Sequence, residues 1–100
     1  MIKHVILWKV KEEFDGEKKA EIKANVKQHL EALKGVVPGL LEIQVQIDSL
    51  DSSNADLMLD STLESEDALK GYQVHETHVH VANTYVRPYM ELRLCMDYVQ

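Results

Sequence analysis

Three of the five histidines, His75, His78 and His80, crowd into one short stretch, and Tyr72 stands just before them. Imidazole titrates near neutrality, so such a stretch could move protons or hold a metal ion. As metal ligands the three are badly spaced. On a helix, positions 75 and 78 share a face while 80 points elsewhere. No carboxylate or cysteine completes a familiar zinc pattern, so no metal and no other cofactor is expected. His29 lies at the edge of a helical apolar stripe and reads as a surface residue, and Trp8 reads as core. Arg93 interrupts an apolar strand on the same face as Cys95. It could meet a substrate anion, but pairing with Asp97 or Glu91 is the simpler expectation. Cys95, the single cysteine, cannot form an internal disulfide and reads as a small buried hydrophobe. Glycine-rich phosphate loops, Ser-His-Asp arrangements and nucleotide fingerprints are absent.

The elements that must position these groups follow from periodicity. Ile2, His4, Ile6, Trp8 and Val10 alternate with Lys3, Val5, Leu7 and Lys9, which predicts a strand that is apolar on both faces in its middle. Asp15 suits an N-cap, and Ile22, Val26, Leu30 and Leu33 follow at helical spacing until Gly35 and Pro38 end the helix. Leu41, Ile43, Val45 and Ile47 predict a second strand. The polar stretch 48–54 and the alternation of 56–63 predict a hairpin with a loose loop. Ser65 starts a second helix, Pro88 ends helical structure, and Leu92 to Val99 forms a last strand, again apolar on both faces.

The order βαββαβ predicts an α+β, ferredoxin-like domain over residues 1–100: a four-stranded antiparallel sheet with two helices on one face. The other sheet face is apolar in the first and last strands and should find a partner, which makes a homodimer the expected assembly. A length of 100 residues suits one domain. The net charge of −6 argues against nucleic acid and anionic lipid as partners. The apolar run from Val5 to Trp8 is too short for a signal peptide, and no stretch approaches the ~20 apolar residues of a membrane span. A cytoplasmic location is therefore expected.

Three segments now read together: Ile2-Lys3-His4-Val5-Ile6-Leu7, then Gly71-Tyr72-Gln73-Val74-His75-Glu76-Thr77-His78-Val79, and Arg87-Pro88 through Asp97-Tyr98. With a first helix ending in Leu-Lys-Gly-x-x-Pro-Gly-Leu, the chain resembles the stress-responsive dimeric α/β-barrel (Dabb) family over nearly its whole length. The resemblance implies two sheets packed face to face as a barrel across a dimer axis, with a cavity in each subunit between helices and sheet. Family functions are diverse. Some members are plant stress proteins, and one plant branch cyclises polyketide intermediates by aldol condensation with a tyrosine and a histidine. The matching positions are Tyr72 and His78, and a histidine matching His4 also faces that cavity. The implied roles are base for His78 and oxyanion donor for Tyr72. Two departures stand out: Glu76 replaces the family's usual proline, and the first helix presents aliphatic Ile22, Val26 and Leu30 where the plant cyclases present aromatics.

The expected cavity lining is His4, Ile6, Trp8, Val26, Leu30, His75 and Arg93, beside Tyr72 and His78. Val5 and Leu7 are assigned to the dimer face and Ile6 and Trp8 to the helix side, with His4 placed on the dimer face yet directed at the cavity. On one straight helix, positions 72 and 78 diverge by ~120°. They converge only if the helix breaks, and Gly71 and Thr77 are the residues expected to allow it. Three functions remain open: a small-molecule-binding homodimer of unassigned ligand, an enzyme of cyclase or lyase type using Tyr72 and His78, and a structural stress protein without catalysis.

Overall fold

A computed structural model describes residues 1–100. The chain runs β1 (Ile2–Val10), α1 (Gly16–Glu31), β2 (Leu40–Gln46), β3 (Leu57–Leu63), α2 (Glu66–Val74), α3 (Glu76–Val81), a π turn (Ala82–Val86), a short 3-10 turn (Arg87–Tyr89) and β4 (Met90–Val99). The four strands form one antiparallel sheet in the order β2-β3-β1-β4. No helix is long and apolar enough to cross a membrane.

Alternation decides which residues face the helices. Ile2, His4, Ile6, Trp8 and Val10 of β1 are all buried, with Leu57, Leu59 and Leu63 beside them on β3. Ile22, Val26 and Leu30 of α1 and Leu69 and Tyr72 of α2 close the core over them. Asp15 caps α1 by accepting from the Lys18 N–H at 2.8 Å, and Ser65 caps α2 by accepting from the Ala68 N–H at 3.1 Å.

The second strand departs from the alternation expected of it. A register shift between Leu40 and Glu42 inserts a bulge, so Leu40 takes the core position and Leu41 turns outward, 36% exposed. Cys95 is a larger correction: it is exposed rather than buried. The reason is topological. β4 packs chiefly on β1 and, unlike the other edge strand β2, has no helix packed substantially over it, so its residues from Glu91 onward are all exposed.

Gly39 joins the α1 side of the chain to β2 and fixes how closely α2 can approach. Its φ is +80°, and a Cβ built there would lie 2.6 Å from the Ala68 Cβ. Gly39→Ala therefore incurs both left-handed backbone strain and overpacking, each ~1–2 kcal/mol. Denaturant unfolding should show a loss of ~2–4 kcal/mol. A change below ~0.5 kcal/mol, the scatter of neutral surface substitutions, would mean that this approach is not tight.

Candidate functional site

The expected second helix is two helices, and the break between them builds the site. His75 sits in extended backbone (φ −61°, ψ 131°), and its Nδ1 accepts from the Thr77 N–H at 3.1 Å. His75 thus acts as the N-cap of α3, with Glu76 in the first turn where a carboxylate is favoured. Neither Gly71 nor Thr77 is the breaking residue. The break removes the divergence of a straight helix and brings the Tyr72 and His78 rings to 4.2 Å between centroids. His4 meets Tyr72 edge-on at 5.8 Å.

His4 is 2% exposed and shares its face with Ile6 and Trp8, so it belongs to the helix side and not to the dimer face. Its ring faces Asp97 of β4, with Nδ1 to Oδ1 at 2.5 Å. Its backbone is pinned as well, because the Ser61 hydroxyl donates to the His4 carbonyl at 2.7 Å.

These groups line a cavity of about 400 Å³ between the helices and the sheet. His4, Ile6, Trp8, Leu30, Tyr72, His78 and Arg93 all stand in its wall. Two residues expected there do not. Val26 is fully buried one turn too deep in α1, and His75 is used as the helix cap. Gln73, Arg87, Met90 and Glu91 are among the further wall residues and were not anticipated. They come from the junction of the split helix with β4, and the only sequence signal was the strand pattern running back from Leu92 through Met90. Arg93 makes no ion pair: Asp97 is engaged by His4, and Glu91 stays apart. With Arg87, which donates to the Asn83 side chain at 2.6 Å, it leaves two guanidinium groups in the cavity wall.

Burial sets the protonation states. It lowers the His78 pKa below the ordinary 6.5; a backbone hydrogen bond with Gln73 opposes this, and the charges of Arg87, His4 and Arg93 add to it. Burial raises Tyr72 well above the ordinary tyrosine value, with Arg93 a smaller opposing influence. At neutral pH the site therefore holds a neutral imidazole beside a protonated phenol. Tyr72 Oη and His78 Nδ1 are buried without hydrogen-bond partners.

A depressed histidine pKa has a defined effect on stability. The unfolded chain binds the His78 proton first, so this contribution is present above pH 6.5 and is lost as pH falls from there through the folded value. Wild type should lose more stability between pH 7.5 and pH 5 than His78→Gln. Parallel pH dependences in urea unfolding would contradict the burial argument.

A four-stranded antiparallel sheet with its helices on one face is the ferredoxin-like arrangement. The sequence profile of Dabb, the stress responsive A/B barrel domain, matches residues 2–100, and the chain belongs to that family. Among solved structures it is similar to a dimeric ferredoxin-like protein of unknown function from Bacteroides fragilis, 26% identical, with 97% of this chain and 93% of that chain covered and a TM-score of 0.90. It is similar in fold to a Dabb family protein from Mesorhizobium loti, at 17% identity, coverage of 99% and 95%, and a TM-score of 0.76. The hydroxynitrile lyase of Passiflora edulis also shares the fold, at 15% identity, coverage of 97% and 90%, and a TM-score of 0.72. No curated protein matches the sequence.

Proposed function

We propose that this protein is a homodimeric enzyme that binds a small carbonyl compound in the cavity of each subunit and transfers a proton at the carbon beside the carbonyl. The observation that carries this reading is the pairing of Tyr72 and His78 in one cavity wall, each with a buried polar atom lacking a partner. A buried unpaired group costs ~1–3 kcal/mol, which a ligand supplying the missing partner recovers.

The chemistry follows from the protonation states. His78 Nδ1 accepts a proton from the carbon acid, and the electron pair of the broken C–H bond passes into an enolate. The Tyr72 hydroxyl donates a hydrogen bond to the enolate oxygen. In a condensation the enolate carbon forms a bond to a second carbonyl carbon, and the alkoxide produced takes the proton back from His78. The reverse sequence is a lyase reaction. Arg87 and Arg93 supply positive charge for a carboxylate or an oxyanion on the same ligand.

The dimer is supported by the sheet face opposite the helices. Leu7, Leu92, Leu94, Met96 and Tyr98 are 37–66% exposed there, and the register places Leu94 beside Leu7 and Met96 beside Val5. Such a patch seeks a second copy.

A thermal-shift screen of carbonyl compounds tests the binding half. A compound at 100 times its Kd should stabilise wild type by ~2.7 kcal/mol, and His78→Ala much less. Equal stabilisation of both proteins would remove His78 from the site.

A further inference from the structure

We propose that His4, Cys95 and Asp97 form a zinc site of three protein ligands, with a fourth position open to solvent. Sequence spacing conceals it, because His4 comes from β1 and the other two from the opposite end of the chain on β4. The antiparallel register sets His4 directly across from Asp97 and Ile6 across from Cys95, so all three side chains lie on one sheet face. Their ligand atoms lie within 4.8 Å of one another. Cys95 Sγ is 3.8 Å from His4 Nδ1 and 3.5 Å from Asp97 Oδ1.

These spacings can be set against zinc chemistry. Tetrahedral Zn–N, Zn–O and Zn–S bonds place neighbouring ligand atoms ~3.3–3.6 Å apart. Both sulfur distances already fall near that range. The His4–Asp97 pair, at 2.5 Å, must open by ~1 Å as the metal replaces the proton between them. Strand backbone holds the positions, and Asp97 and Cys95 are exposed, so a small rotation of the carboxylate suffices and the ion can enter from solvent. Thiolate with imidazole selects a borderline-soft cation and disfavours magnesium or calcium. Uptake releases the thiol proton.

The experiment uses the reduced dimer after treatment with a chelator. Zinc titrated in a calorimeter should bind at one ion per chain. Cobalt(II) added in its place should give an intense near-ultraviolet thiolate-to-cobalt band with tetrahedral d–d absorption. Cys95→Ser should abolish the thiolate band and weaken zinc binding by more than ~100-fold, beyond the loss expected for an outer-sphere partner. Asp97→Asn should weaken binding while keeping the band. If the variants fail to fold, alkylation of wild type still decides the matter, since Cys95 is the only cysteine. Zinc should protect it from iodoacetamide, and magnesium should not. Absence of the thiolate band, zinc affinity unchanged in Cys95→Ser, or no protection from alkylation would each overturn the assignment.

Discussion

Replacing Leu94 and Met96 together by aspartate is expected to give a folded monomer of 11.5 kDa in place of the dimer. The two side chains are 57% and 66% exposed in the single chain, so the subunit's own core does not depend on them. In a face-to-face barrel they lie at the centre of the interface, beside Leu7 and Val5 of the same sheet. Each aspartate would then enter an apolar surface without a cationic partner, a desolvation cost of several kcal/mol per charge. No interface of ordinary size absorbs two such penalties in each subunit. Light scattering at micromolar concentration reads the result, and circular dichroism confirms the fold. Leu50→Asp, in the exposed β2–β3 loop, is the control that should leave the dimer intact. A variant that still weighs two chains would move the interface elsewhere.

The second large effect concerns the cavity. Once a bound carbonyl compound is in hand, exchange of its α-hydrogen with deuterated water measures the proposed chemistry directly. His78→Ala is expected to slow exchange by ~10²–10⁴-fold, the usual worth of a positioned base. Tyr72→Phe should slow it by ~10²–10³-fold, the worth of an oxyanion donor. Stability should move the other way for Tyr72→Phe. The tyrosine hydroxyl is buried with no partner, so deleting it removes an unsatisfied group and leaves the ring in place. The variant should be as stable as wild type or slightly more so. A purely structural tyrosine predicts the reverse, lost stability with exchange unaffected. The acid limb gives a third reading: exchange should persist below pH 6.5, because burial and neighbouring positive charges hold His78 neutral there.

The parts of this architecture legible in the sequence are those governed by local periodicity. The two-faced middle of β1, the stripe of Ile22, Val26 and Leu30, and the caps Asp15 and Ser65 needed only spacing and side-chain type. The break at His75 was harder, because histidine is not among the usual capping residues and its role depends on which way one ring nitrogen points. Leu41 defies the pattern because a bulge directly after Pro38 and Gly39 reverses parity at the start of the strand. His4 shares parity with Ile6 and Trp8, and the alternation alone should have placed it on the helix side. Cys95 and Arg93 could not be placed from their own strand. Whether β4 is covered depends on where the helices lie across the sheet, which only the assembled fold decides. Val26 and His75 were expected in the cavity wall because they sit near wall residues in sequence. Depth within a helix layer and use as a cap are properties of the assembled chain.

The pairing of β1 with β4 also shapes how the protein comes into being. The Gln100 N–H donates to the Met1 carbonyl at 2.9 Å, so the first and last strands close the longest loop this chain can make. Contacts of such sequence separation are slow to form, because the intervening chain must be ordered before they are rewarded. The β2–β3 hairpin closes over a far shorter span and can form before that pairing does. Arg93, Asp97, Cys95, Leu94 and Met96 all arrive with that final strand. Part of the cavity wall, two of the three proposed metal ligands and part of the proposed subunit contact thus form only when β4 docks on β1.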